Sequence, residues 1–143
     1  MNTFLGWRMV AFAIAIDFFA VGFAFQTYPV IQLYLEKELN LSRFVTTLTI
    51  PIFMICSAVF FPIVGRLLDK YSVKKIIVWG GFIYSISLIS LYFTINYFTF
   101  ILIYGLPIAL GATLMGNLAT SKLVSSWFET VSYTHLRAHE TSL

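Results

Sequence analysis

One carboxylate interrupts a long apolar run near the start of the chain. Asp17 is the only charged residue between Met9 and Leu35. If this run spans a membrane, a carboxylate near mid-bilayer costs about 2.5–3.5 kcal/mol, so it should face other protein or a water-filled cavity. Such a group could carry a proton or contact a substrate or a cation. It could equally be a structural, hydrogen-bonded residue, and both interpretations stay open.

Helical spacing gives Asp17 a set of neighbours. At about 100° per residue, the other residues on its face are mostly small. They are Ala13, Ala20, Val21, Ala24 and Tyr28. Small side chains let another helix approach closely or leave room for a ligand. Tyr28 is therefore a second candidate for the handling of protons or substrate.

A polar stripe occurs further along the chain. Thr113, Asn117 and Ser121 recur at a spacing that places them on one face of a helix. Hydroxyl and amide groups on an apolar helix either hold neighbouring helices together or line a cavity. In the second case Thr113 and Asn117 would contact protons or substrate.

An acidic residue lies within a basic connection. The segment from Gly65 to Lys75 contains Asp69 among basic side chains. Positive charge alone would satisfy the topology rule, so the carboxylate needs a further reason. It can pair with basic side chains or cap the N-terminus of a neighbouring helix. Gly65, at the predicted helix exit, allows close approach of another backbone.

The composition predicts that a lipid bilayer surrounds the elements that position these residues. Of 143 residues, 59% are hydrophobic and 10% are charged, whereas soluble domains have about 25% charged residues. Apolar runs of about 20 residues with almost no charge predict transmembrane helices, because backbone groups in lipid must be satisfied within the segment. The predicted spans are Trp7–Tyr28, Thr46–Gly65, Ile76–Ile95 and Phe98–Ser121. The first span is longer than the core of a signal peptide, so we expect it to be retained.

The basic residues near the span ends are unequally divided between the two sides of the membrane. One side collects Arg8, Arg66, Lys70, Lys74, Lys75 and Lys122, and the other collects Lys37 and Arg43. Basic residues concentrate on the cytoplasmic side. The predicted localisation is therefore the cell membrane, multi-pass, with a cytoplasmic N-terminus.

The connection after the second span resembles the signature loop between helices two and three of the major facilitator superfamily. The matching positions are Gly65, Leu67, Asp69, Lys70, Lys74 and Lys75. Ser72 stands where that family usually has glycine, and Val73 where a basic residue is common. The Gly6-Trp7-Arg8 opening and the Trp127-Phe128 pair are similar to the branch of monocarboxylate and oxalate/formate carriers.

The resemblance implies an all-α integral membrane fold and a secondary active transporter. This chain would supply four transmembrane helices of an N-terminal six-helix half, and a C-terminal half of the same protein would be missing. A small solute, an organic anion such as a monocarboxylate, would bind between the halves near the bilayer midplane, with alternating access and possible proton coupling. The Asp69 loop would form part of a cytoplasmic latch, or would serve only as a positive anchor.

The end of the chain changes character after Thr130. Residues 131–143 contain both histidines and have no apolar helical period. They resemble the translated end of a transposon sequencing adapter, so we expect residues 1–130 to be transporter and residues 131–143 to be non-native. His135 and His139 are accordingly not interpreted as metal ligands.

Several function classes are disfavoured by what the chain lacks. It has no paired carboxylates, metal-ligand cluster or activated nucleophile, which predicts that it is not an enzyme and uses no metal or cofactor. It has no glycine-rich phosphate loop and no basic face with interleaved aromatics, so neither ATP nor nucleic acid is an expected partner. The alternative to a carrier is a small four-helix structural or channel subunit of a membrane complex.

Overall fold

The computed structural model describes residues 3–126, with side chains from Trp7 onward. Within this range the chain forms four helices that are long and apolar enough to cross a membrane: α1 (Trp7–Glu38), α2 (Arg43–Lys70), α3 (Val73–Leu91) and α4 (Tyr97–Ser126). Residues 3–126 contain no strand. The predicted all-α membrane fold is confirmed. The adapter-like tail and the Trp127-Phe128 pair lie outside the described residues.

Helix α1 is longer and less regular than predicted. The helical backbone begins at Thr3, before the apolar span: it is α-helical over Thr3–Val21, forms a π-helical turn over Gly22–Gln26, and becomes α-helical again over Tyr28–Glu38. The predicted span ended at Tyr28. The helix continues because Pro29 lies in the first turn of the last segment, where a helix does not need the missing N–H.

Helix α4 is also built in pieces. It is α-helical over Tyr97–Ile103, has a π-helical turn over Tyr104–Ile108, and is α-helical over Ala109–Met115. Pro107 lies inside the π-helical turn, where its lack of an N–H removes one regular hydrogen bond. At Gly116 the backbone is extended (φ −82°, ψ −160°), and residues 117–126 form a further helical segment. An added Cβ at Gly116 would lie 2.5 Å from the Ala112 carbonyl oxygen.

The turn between α3 and α4 includes Asn96, which lies between the predicted spans Ile76–Ile95 and Phe98–Ser121. Helix α3 ends at Leu91 instead of the predicted Ile95, and Asn96 is the extended residue immediately before α4. The last uncharged residues of the predicted third span are therefore used in the turn. Hydropathy alone did not locate this end, because turn residues here are as apolar as helix residues.

Helices α3 and α4 pack closely against each other at two glycines. An added Cβ at Gly111 would lie 2.8 Å from the backbone nitrogen of Tyr84, and one at Gly80 would lie 2.6 Å from Leu114 Cβ. Glycine at both positions lets the two backbones approach closely, as small residues do in membrane helix pairs.

Tyrosine hydroxyls tie α1 to each of the other helices. Tyr84 of α3 donates to the Ala20 carbonyl oxygen at 3.3 Å, and Tyr104 of α4 donates to the Ala24 carbonyl oxygen. Tyr28 of α1 in turn donates to the carbonyl oxygen of Thr46 at the start of α2. All three tyrosines are buried. Many other large apolar side chains of the bundle are exposed on its outside, as expected for helices that face lipid.

Candidate functional site

A cavity lies between α1, α2 and α4. It has a volume of about 310 Å³, and we call it the three-helix cavity. Much of its wall is aromatic, with Phe25 from α1 and Phe53 and Phe61 from α2. The rings of Phe25 and Phe53 pack edge to face, with centroids 5.5 Å apart. A mostly apolar wall with a few polar groups is typical of a small-molecule site.

Two of the sequence-predicted residues line this cavity from α4. The buried Thr113 hydroxyl donates to the Ala109 carbonyl oxygen at 2.6 Å, and its lone pairs are left to accept a further bond. Asn117 is exposed, and its Oδ1 accepts a hydrogen bond from Ser121 Oγ at 3.0 Å. The Asn117 amide nitrogen has no hydrogen bond to the described residues. Both side chains can therefore offer hydrogen bonds to a solute.

Sequence reasoning missed the third polar residue of the cavity. Ser57 of α2 also lines it, and its Oγ is buried with no hydrogen-bond partner among residues 3–126. Buried polar atoms are nearly always paired, so an unpaired hydroxyl here marks a place for a ligand or a water. The sequence feature that could have identified Ser57 is its hydroxyl group within the apolar run of α2, next to Cys56.

Asp17 lies in a different cavity. Its Oδ2 accepts a hydrogen bond from Thr120 Oγ1 at 2.8 Å, which joins α1 to α4. Its Oδ1 is buried and has no hydrogen-bond partner among the described residues. The surrounding cavity, of about 380 Å³, is lined also by Thr120, Ser121 and Ser125. A carboxylate with one satisfied and one unsatisfied oxygen can take up a proton, a cation or a water at the second oxygen.

Tyr28 takes no part in either cavity. It is 2% exposed, and its hydroxyl donates to the Thr46 carbonyl oxygen. Its ring lies 5.2 Å from that of Tyr104 and 6.4 Å from that of Phe100. The structure therefore places Tyr28 in the packed core, apart from Asp17 although both lie on one helical face.

The signature-loop residues meet the end of α4. Asp69 forms an ion pair with Lys122, and the two side chains are 76% and 37% exposed. An exposed pair of this kind contributes about 0–1 kcal/mol, so it joins the ends of α2 and α4 but adds little to the stability of the bundle. Lys74 and Lys75 lie exposed in the first turn of α3, and Lys70 lies over the Tyr71 ring, 5.7 Å from its centroid.

Two of the residues that match the signature loop, Gly65 and Leu67, lie inside α2. The helix continues to Lys70, so Gly65 is not at its exit as predicted. An added Cβ at Gly65 would meet no atom of the described residues within 4 Å. Leu67 packs against the buried cluster that contains Val64 and Leu68.

A polar cluster at the opposite end joins α1 to α2. The Gln32 amide nitrogen is 3.0 Å from Glu36 Oε1, from Thr46 Oγ1 and from Thr47 Oγ1, and Thr46 Oγ1 donates to Glu36 Oε1 at 3.0 Å. Sequence reasoning did not identify this cluster, because it depends on the ten-residue extension of α1 past Tyr28 to Glu38. Within residues 3–126, no group of three or more His, Cys, Asp or Glu side chains could hold a metal ion.

Comparison with known proteins agrees with the loop and the helices. The sequence model of the Major Facilitator Superfamily matches residues 3–133. The uncharacterised MFS-type transporter YcxA of Bacillus subtilis (strain 168) is 29% identical over 119 residues, which cover 83% of this chain and 28% of that protein. No solved structure matches the chain. The chain thus spans less than a third of the length of this relative. Because the family model matches residues 3–133, the chain belongs to the Major Facilitator Superfamily.

Proposed function

We propose that this chain forms part of a secondary active transporter that moves a small solute by alternating access. The observation that carries the proposal is the three-helix cavity, with the unpaired Ser57 hydroxyl and the polar side chains of Thr113 and Asn117 in its wall. A cavity between transmembrane helices with a few polar groups can hold a small solute. The opposite wall would come from a second half of a longer protein, outside this chain.

We further propose an organic anion, such as a monocarboxylate, as the solute. The support is the similarity of Gly6-Trp7-Arg8 and Trp127-Phe128 to the monocarboxylate and oxalate/formate branch. No Lys or Arg of the described residues lines the three-helix cavity. A positive group that balances the anion would therefore come from the second half, since an unpaired charge in an apolar cavity is costly.

The proposed coupling residue is Asp17. Its unsatisfied Oδ1 supports a role in taking up a proton, and its place outside the three-helix cavity would keep that step separate from solute binding. The Thr120 hydroxyl would hold the carboxylate in place through Oδ2 while Oδ1 exchanges its partner.

Transport can be tested in proteoliposomes that contain the full-length protein encoded by the complete gene. We expect uptake of a radiolabelled monocarboxylate driven by a pH gradient. Replacing Asn117 with Ala should raise KM by about tenfold, the effect of losing one good hydrogen bond to the solute. Ser90→Ala is the matched control, because Ser90 is on α3, bonds its own helix at Ile86 and lines neither cavity.

Two results would contradict the proposal. One is an unchanged KM in Asn117→Ala with a correctly inserted protein. The other is ion flux through membranes that contain the 143-residue chain alone, since that result would favour the four-helix channel subunit. A carrier requires both walls of its site, so this chain alone should insert without accumulating solute.

The orientation proposed for the cell membrane has its own test. We expect a cysteine placed at Glu38 to react with an impermeant thiol reagent from outside intact cells, and one placed at Lys74 to react only after lysis. The reason is the concentration of basic residues at the end of the bundle that holds Lys74. Both variants would carry Cys56→Ser, which removes the chain's own thiol. Equal labelling of both positions from outside would reject a cytoplasmic N-terminus.

A further inference from the structure

We infer that the solute of the three-helix cavity carries a bulky apolar group, aromatic or branched, attached to its carboxylate. This inference rests on the proposed function and narrows its substrate class. It assigns the carboxylate to the side of the site that lies outside this chain, and the apolar group to the cavity between α1, α2 and α4.

The size of the cavity is the first argument. The cavity volume of about 310 Å³ lies at the lower end of the range for small-molecule sites, about 300–1,000 Å³. A carboxylate with two or three carbons would leave much of that volume to water against an apolar wall. An aryl or branched alkyl group would fill it and remove that wall from water.

The chemistry of the wall is the second argument. Phe25, Phe53 and Phe61 present ring surface, and Met54 adds a flexible apolar side chain that adapts to irregular shapes. Phe25 and Phe53 already meet edge to face, the arrangement by which aromatic rings pack favourably. A third ring could pack against this pair in the same way.

The polar groups are the third argument. Of the described residues that line the cavity, Ser57, Thr113 and Asn117 have polar side chains, and none of the three is charged. The buried, unpaired Ser57 hydroxyl can bond one neutral polar atom of a solute, such as a hydroxyl or carbonyl oxygen. The wall therefore suits an uncharged, mainly apolar portion that carries at most a few polar atoms.

The experiment uses the full-length protein and compares carboxylates that differ only in the group attached to the carboxylate. Acetate, lactate, isovalerate and phenylacetate would compete with uptake of a labelled substrate in proteoliposomes. We expect phenylacetate and isovalerate to bind at least about tenfold more tightly than acetate, a difference well within the range of hydrophobic burial. Equal inhibition by all four would overturn the inference and leave the transporter proposal standing.

Two variants locate the effect in this cavity. Val21 lines the cavity and is half exposed, so Val21→Phe should fill part of the volume without disturbing the buried core. It should weaken phenylacetate by about fivefold or more, as an overfilled site does, and leave acetate unchanged. Phe82→Ala is the control, because Phe82 is exposed on α3 and lines neither the three-helix cavity nor the cavity around Asp17. Equal effects of Val21→Phe on both solutes would place the apolar group elsewhere and overturn the inference.

Further results of these experiments would also test the inference. Failure of a correctly inserted protein to transport any carboxylate would overturn the proposed organic-anion function and this inference with it. A cysteine at position 21, in the Cys56→Ser background, should react with a small thiol reagent and be protected by phenylacetate. A cysteine that never reacts would show that another helix of the longer protein fills the cavity, and would overturn the inference alone.

Discussion

Asp17→Asn is expected to abolish accumulation of solute against a gradient in the full-length protein, while membrane insertion and solute exchange remain. Asparagine keeps the shape and can still accept the Thr120 hydroxyl bond through its carbonyl oxygen. It cannot take up and release a proton at the buried position of Oδ1. Uptake driven by a pH gradient, compared with counterflow exchange in the same vesicles, measures the two activities separately.

Two controls separate coupling from packing at Asp17. Glu38→Gln makes the same carboxylate-to-amide change at the exposed end of α1 and should leave accumulation unchanged. Thr120→Val removes the hydrogen bond to Oδ2 together with the hydroxyl's bonds to the Gly116 and Asn117 carbonyl oxygens, and it should reduce the rate without abolishing coupling. Normal accumulation by Asp17→Asn would reject the proton-carrier role, and loss of folded protein would show that Asp17 serves packing instead.

Gly111→Ala is expected to destabilise the bundle by about 1–3 kcal/mol, the usual cost of overpacking a tight contact. The added methyl group would lie 2.8–2.9 Å from backbone and Cβ atoms of Tyr84, and a backbone cannot move aside as the tip of a side chain can. The α3–α4 contact must then open. Unfolding of the purified protein by a denaturing detergent, followed by circular dichroism, measures the change.

Gly81→Ala is the matched control for this substitution. Gly81 is one position along α3 from the contact glycine Gly80, and an added Cβ there would meet nothing within 4 Å. We expect it to be neutral or slightly stabilising, because alanine is the better helix former. Equal stability of the two variants would show that the close approach at Gly111 can relax without cost.

The sequence correctly predicted those structural features that depend on a single helix or loop. Apolar runs with almost no charge located four helices, because the hydrocarbon thickness sets a minimum length for each. Helical periodicity placed Ala13, Ala20 and Ala24 on one face, and all three are buried. The residues around Asp69 resemble the family's signature loop in type and position, and the family match over residues 3–133 agrees.

The sequence was uninformative where two helices had to be rotated and shifted against each other. The Asp17–Thr120 hydrogen bond and the Asp69–Lys122 ion pair join residues far apart in the chain. Helical periodicity within one segment does not predict which hydroxyl or ammonium group of another helix will contact a given carboxylate. Tyr28 shares a face with Asp17 but lies among aromatic rings instead of in a cavity. Hydropathy does not reveal the π-helical turns at Gly22–Gln26 and Tyr104–Ile108, the second of which contains Pro107.

The tyrosine hydrogen bonds restrict how this bundle can move. Between Ala20 and Tyr28, α1 is bonded to α3, to α4 and to α2 in turn. Sliding or straightening α1 would break these three bonds together. The hinges of an alternating-access cycle would then lie outside this bundle, and the four helices would travel through the cycle as one rigid body.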